Sequence, residues 1–307
     1  MNVFVLIALL CVFLGASLGK ETTRSPQPDV NNIEYADHGF YRSSFIGNDE
    51  YFDKHWNSLC GYFPLIVTKD SGLDPPFHLK FNFTFFGRSY SQVHVSPHGF
   101  LSIGKDRLAN PAATQYAAPL MAPFEGPRRY YICNGEKKFT AVWLDMATPD
   151  DPNTQFLFAI TLYDNDDIAF SYKEVPKPIK SIATSPVKVG LSDAFTAYFE
   201  NPKSDDSSDT TYNSISFINY DIKNKTVIKL ERLPTCSDHS NCRSCVSADS
   251  NLNCVWCALL QRCGAFDSNL NPWYKWVCQR YTIQKPSQCH TEHFLLSKVD
   301  NSIDWAK

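Results

Sequence analysis

Residues 155–172 read QFLFAITLYDNDDIAFSY. The opening stretch, Gln155 to Tyr163, is apolar on both faces of an extended chain, which suits a central strand covered on both sides. Asp164-Asn-Asp-Asp167 supplies a polar turn, and beyond it Ile168, Phe170 and Tyr172 alternate with Ala169 and Ser171. Strand, polar turn and alternating strand make a hairpin. Leu79, Phe81, Phe83 and Phe85 share one face of a second extended stretch, and Lys80, Asn82 and Thr84 share the other. That period of two predicts one buried and one wet face. Shorter strand candidates are Val93–Val95, Phe100–Ile103, Thr140–Leu144, Val187–Leu191, Ser214–Ile218 and Thr226–Leu230. Many short strands with few helical patterns imply a mainly β fold, an antiparallel sandwich-like domain.

Composition agrees. The 307 residues include 22 Phe, 15 Tyr and 6 Trp with 19 Pro and only 3 Met, a balance that favours strands and turns over helical bundles. The formal net charge is −3, and no basic block is present, so the chain carries no electrostatic footprint for nucleic acid or an anionic membrane.

Val3 to Leu14 is an uncharged apolar run followed by Gly15, Ala16, Ser17 and Gly19, which reads as a secretory signal peptide over 1–19. The run is shorter than the roughly 20 apolar residues a spanning helix needs. Residues 20–50 are polar, contain Pro26 and Pro28, and read as a linker or N-terminal arm. The chain then divides at Leu233-Pro234. Residues 51–235 hold only Cys60 and Cys133, whereas 236–289 hold eight cysteines, and 290–307 form a short tail. The larger block can bury its own core; the smaller is too short to be stable without staples. The mature chain thus reads as secreted or extracellular, with no membrane span of its own.

The cysteine block has the spacing Cys236-x5-Cys242-x2-Cys245-x8-Cys254-x2-Cys257-x5-Cys263-x14-Cys278-x10-Cys289. Two Cys-x2-Cys pairs invite a zinc reading, but zinc ribbons usually separate such pairs by about 12–20 residues. An oxidising compartment favours disulfides, and spacing alone does not choose among the possible pairings. Cys60 and Cys133 remain, and pairing them is the economical expectation outside the cell.

The string C-x5-C-x2-C-V-S…N-C-V-W-C…L-Q-R-C resembles the plexin–semaphorin–integrin (PSI) module, with Trp256 matching its packed aromatic. In the larger block, Ala113-Thr-Gln-Tyr116, Ala118-Pro-Leu-Met-Ala122, Phe170-Ser-Tyr-Lys-Glu174, Val187-Lys-Val-Gly-Leu-Ser-Asp-Ala-Phe195 and Leu233-Pro-Thr-Cys236 resemble, in the same order, the plexin domain-containing (tumour endothelial marker) family. The resemblance covers about residues 40–289. It implies a NIDO-like β domain over 51–235, a PSI module over 236–289, and the pairs Cys236–Cys254, Cys242–Cys289, Cys245–Cys263 and Cys257–Cys278. It also implies type I membrane relatives whose ectodomains bind basement-membrane or secreted proteins. His98-Gly99-Phe100 stands where the family has Gly-Gly-Phe.

Candidate chemistry is sparse. Gly99-Phe-Leu-Ser-Ile-Gly104 evokes a nucleophile elbow, yet Ser102 lies three residues after Gly99 and in a strand context, against the G-x-S-x-G pattern. His94 and His98 would share a face only if a strand ran through Pro97, and two histidines make a thin metal site. His290 and His293 fall in or near the tail. Asp164, Asp166 and Asp167, and Asp145, Asp150 and Asp151, could offer oxygens to calcium but lack the EF-hand pattern, and Asp favours turns for backbone reasons. Asn82-Phe-Thr84 and Asn224-Lys-Thr226 are N-glycosylation acceptors, with Asn82 on the expected wet face. No nucleophile, base and oxyanion donor converge. The expectation is a non-enzymatic extracellular interaction protein without a cofactor or metal, binding matrix, basement-membrane or secreted protein ligands. The alternatives are a structural matrix component and a secreted hydrolase.

Overall fold

A computed structural model describes residues 34–60, 65–69, 76–103, 115–125, 128–183, 186–193, 195–198, 207–210, 213–265, 278 and 281–291. The expected signal segment 1–19, residues 20–33 of the arm, and His293 lie outside the described residues.

In chain order, the elements are β1 (Glu34–Asp37), β2 (Tyr41–Ile46), α1 (Asp49–Ser58), β3 (Leu65–Lys69), β4 (Phe77–Phe85), β5 (Arg88–Ser96) and β6 (Phe100–Ile103). Then come β7 (Tyr116–Met121), β8 (Arg128–Asn134), β9 (Lys138–Thr148), β10 (Asp151–Tyr163), β11 (Ile168–Glu174), β12 (Lys188–Ser192), β13 (Phe195–Tyr198), β14 (Ser207–Thr210), β15 (Ser214–Ser216) and β16 (Thr226–Arg232). The cysteine-rich block holds α2 (Cys242–Val246), β17 (Cys254–Cys257), β18 (Arg262–Ala265) and β19 (Thr282–Ile283). Two antiparallel sheets dominate, ordered β1-β2-β16-β11-β10-β9-β8-β3 and β15-β12-β7-β6-β5-β4. Strands β13 and β14 form a separate pair.

The two large sheets pack face to face over one aromatic core. Phe83, Phe85, Val93 and Leu101 from the smaller sheet meet Tyr130, Trp143, Phe158, Phe170 and Tyr172 from the larger. Large aromatics bury much surface but bring polar tips that need partners. Trp143 on β9 donates Nε1–H to Ser96 O at 2.8 Å, and Tyr172 on β11 donates to Pro119 O at 2.7 Å. Both bonds cross the core and tie one sheet's side chains to the other sheet's backbone. Pro119 sits in β7 where the register against β12 shifts between Lys188 and Gly190, an irregularity that accommodates its missing N–H. At Gly99 (φ +83°), a Cβ would overlap Leu120 O and press on Phe158, so the β5–β6 turn needs glycine for space and for backbone.

Strand β10 is central, flanked by β9 and β11, as the QFLFAITLY stretch implies. One face lines the sandwich core. The other lies under α1, where Leu59 packs with Val142 and Ala159. Asn48 caps α1 by accepting the Tyr51 N–H at 2.8 Å. Phe52 packs with Ile46, Ala169 and Val227, and Trp56 is part-buried beside them. Cys60–Cys133 fixes the end of α1 to β8, closing a separation of 73 residues.

One boundary differs from expectation. Residues 20–50 read as an arm, but from Glu34 onward they supply β1, β2 and the first turn of α1, and β2 pairs with β16 from Ile46↔Val227 to Tyr41↔Arg232. The β domain therefore starts no later than Glu34. Among the described residues, no helix is long and apolar enough to cross a membrane.

In the cysteine-rich block, β17 pairs with β18 and β19, placing Trp256 opposite Cys263 and Ile283. Its bridges are Cys236–Cys254, Cys242–Cys289, Cys245–Cys263 and Cys257–Cys278, with Cα separations of 5.3–5.7 Å. They are the four pairs that the resemblance implies. Trp256 is 2% exposed and Cys245 fully buried. So small a core is secured by the bridges, each of which constrains the unfolded chain by about 2–4 kcal/mol.

Candidate functional site

A polar cluster with several linked bonds lies where the β domain meets the cysteine-rich block. The β10–β11 turn presents Asp166 and Asp167. Asp166, with its backbone at φ +67°, accepts the Thr84 N–H of β4 at 2.6 Å. Its other oxygen is 3.5 Å from Arg232 Nε at the end of β16. Asp167 accepts the Arg232 N–H at 3.0 Å and lies 3.7 Å from Lys229 Nζ. Arg232 then reaches forward with Nη2 to Asp238 of the cysteine-rich block. Asp238 closes a capping box with Thr235 by accepting its backbone N–H at 2.7 Å. The side chains of Arg232 and Asp166 are 21% and 16% exposed, so this pair is shielded more than an ordinary surface bridge.

Steric contact reinforces the charges. Phe86 and Gly87 form the β4–β5 turn with positive φ angles of 45° and 75°. A Cβ at Gly87 would overlap Ser237 Oγ, so the first turn of the cysteine-rich block rests directly on this hairpin. Phe86 meets Phe40 and Tyr41 edge-on at centroid distances of 5.3 and 5.5 Å, and Leu233 N donates to Phe40 O at 2.9 Å. Residues 232–238 are thereby bonded on both sides. The arrangement ties one unit to the other by charge and by steric contact.

The chain matches the NIDO-related family over residues 53–228. It belongs to that family. No solved structure matches it. The match starts inside α1 and ends inside β16, so β1, β2 and the last residues of β16 extend the NIDO-related domain beyond the matched segment. The five disulfides, together with a NIDO-related domain, point to an extracellular protein.

The remaining sequence candidates scatter across the NIDO-related domain and beyond it. Ser102 is 1% exposed on β6, opposite His94 of β5. Strand β5 ends at Ser96, so His94 and His98 are not on one strand face. His290 is exposed in the 3-10 turn Pro286–Thr291. Of the acids weighed for calcium, Asp166 and Asp167 are engaged at the junction. Asp145 pairs with Arg129, and Asp150 and Asp151 hold Lys177 at 3.2 and 3.3 Å. Three cysteine sulfurs, of Cys236, Cys254 and Cys263, lie within 4.8 Å of one another, but all are disulfide sulfur with no thiolate to offer a metal. Asn82 is exposed on β4, on the wet face its alternation predicts, and Asn224 is exposed in the turn before β16, its Oδ1 accepting Val175 N–H at 2.6 Å.

Sequence reading missed two Ser–His contacts, one of them His38 Nε2 to Ser43 Oγ of β2 at 2.8 Å. His55 Nε2 of α1 lies 2.9 Å from Ser171 Oγ of β11. Burial, with a smaller push from Lys138, lowers the His55 pKa to about 4, so the imidazole is neutral at pH 7. Ser171 has no exposed surface, however, and the contact lies part-buried between helix and sheet. The partners stand 116 residues apart, and no local pattern joins them. An open concavity on the cysteine-rich block, lined in part by Leu252, Asn253, Val255 and Gln284, has only amide, apolar and disulfide groups among its described lining residues.

Proposed function

We propose that the chain is a non-enzymatic extracellular interaction protein, similar to the ectodomain of a plexin domain-containing receptor. In this reading, residues 236–289 are a PSI module. The NIDO-related domain carries the surface that binds matrix, basement-membrane or secreted protein ligands, and the PSI module sets its posture. The observation that carries the reading is the junction: Arg232 bonded between Asp166 and Asp238, with Ser237 seated on Gly87. A wedge that orients a larger binding domain needs a stiff joint of this kind. The four bridges of the small unit make it a rigid lever.

The test is chemical cross-linking of the tagged full chain on cells that lay down matrix, read by mass spectrometry, with broad serine- and cysteine-hydrolase probes on the purified protein. Enrichment of basement-membrane or secreted proteins, with no probe labelling, is the expected result. Stoichiometric labelling by either probe, or no enriched extracellular protein, would overturn the reading.

A further inference from the structure

Strand β4 ends the six-stranded sheet, and it is the longest terminal strand in either large sheet: nine residues, against four for β1, five for β3 and three for β15. An open edge of that length is a template for pairing with another chain. The fold protects both ends of β4 with side chains of the opposite sheet. Near the start, Asn134 Nδ2 donates to His78 O at 2.7 Å. Near the finish, Thr84 N donates to Asp166 Oδ1 at 2.6 Å, and the Tyr41 hydroxyl donates to Thr84 O at 3.4 Å.

Among the described residues, the middle has no such cover. Register against β5 shifts between His78↔Gln92 and Phe83↔Tyr90, so Leu79, Lys80, Phe81 and Asn82 bulge opposite Ser91 alone. Lys80 and Asn82 face solvent there, and Phe81 is only half-buried. The Lys80–Glu136 pair at 3.0 Å is exposed on both sides and holds the bulge weakly. Asn82 begins the acceptor triplet Asn82-Phe83-Thr84.

We propose that Asn82 carries an N-linked oligosaccharide and that this glycan blocks the bulged middle of β4 from pairing with the same edge of a second copy. A bulky hydrated glycan at the centre of the edge covers what the end-bonds leave open. The inference rests on the extracellular reading of the chain, since the modification belongs to the secretory route.

The full chain is expressed in secreting mammalian cells. Enzymatic deglycosylation in heavy-oxygen water maps the modified asparagines, and light scattering after size exclusion reads association at micromolar concentration. Asn82 is expected to be modified and the wild type monomeric. Asn82→Gln should associate several-fold more. Thr84→Ser keeps the acceptor and should behave as wild type, as should Asn224→Gln, which removes the other acceptor on the other sheet. Asn82→Lys loses the glycan but adds a second charge beside Lys80, and should associate less than Asn82→Gln. A secreted, disulfide-bonded chain with Asn82 bare overturns this inference alone. A chain retained in the cell with reduced cysteines overturns the extracellular reading with it. An Asn82→Gln variant as monomeric as wild type, or an Asn82→Lys variant that associates as much as Asn82→Gln, also overturns the edge mechanism.

Discussion

Two buried tyrosines separate the value of a hydroxyl from the value of a ring. Tyr172 and Tyr130 both fill the core with almost no exposed surface. Tyr172 donates across the sandwich to Pro119 O at 2.7 Å, whereas the Tyr130 hydroxyl has no hydrogen-bond partner among the described residues. A satisfied buried hydrogen bond contributes on the order of 1 kcal/mol net, and removing its donor also orphans the carbonyl. Removing a hydroxyl that lacks a partner relieves desolvation instead. Tyr172→Phe is expected to lower the unfolding free energy by about 1–2 kcal/mol. Tyr130→Phe should be neutral or stabilising by up to about 1 kcal/mol. Denaturant midpoints at constant m-value read both. An equal loss in the two variants would mean that ring packing, rather than the cross-sheet bond, sets the cost.

At the scale of elements, α1 shows how a helix is fastened to a sheet. Its apolar contacts come from Phe52, Trp56 and Leu59, its end is held by Cys60–Cys133, and its middle by His55 on Ser171. His55 has an ordinary value of 6.5 and about 4 when folded, so between those values the unfolded chain binds the proton more readily. Its contribution is therefore complete above pH 6.5, falls as the pH drops toward 4, and falls no further below that. After allowance for the partial exposure of the ring, the loss across this window is about 1–2 kcal/mol. His55→Phe should lack this component, so the stability gap between variant and wild type changes between pH 7 and 4. Hydrogen exchange over residues 49–58 should report the same window. A gap independent of pH would show that His55 is not held neutral beneath the helix. Little of α1 was legible beforehand. It is short, and its apolar contacts come from buried Phe52, part-buried Trp56 and Leu59 at the C-cap, without a sustained helical period. β7 was hidden by Pro119, and β2 by Ser43 and Ser44, which it buries beside Phe45. β10 and the exposed face of β4 were legible because their alternation answers directly to which faces are covered. Asp166 was legible only as a turn residue, and its meeting with Arg232 gave no local signal, since the two come together only through sheet topology.

For the whole molecule, the consequence of the junction is mechanical. The β10–β11 turn fixes the edge strand β4 through Thr84, fixes the exit of β16 through Arg232, and through Arg232 reaches Asp238. One acidic turn thus couples both sheets and the cysteine-rich block. The same block rests on Gly87, where positive φ and the nearness of Ser237 leave no room for a side chain. Gly87→Ala meets two separable costs. The backbone cost of an L-residue in the left-handed region is roughly 1–2 kcal/mol. The overlap with Ser237 Oγ is relieved by turning that hydroxyl off Thr235 Oγ1, which still leaves Ser237 Cβ 3.2 Å from the new methyl, so the block must also give way on the hairpin. Gly87→Ala is therefore expected to raise the rate of limited proteolysis between Arg232 and Cys236 several-fold and to broaden the distance distribution in small-angle scattering. Adding Ser237→Gly removes the overlap and leaves the backbone cost, so the double variant should recover the compact scattering profile while remaining slightly less stable than wild type. Arg232→Ala should loosen the joint by the independent electrostatic route, and Ser237→Gly should not rescue it. If neither Gly87→Ala nor Arg232→Ala is cleaved faster than wild type, these contacts do not hold the block on the hairpin, and the posture argued for the binding domain loses its physical basis.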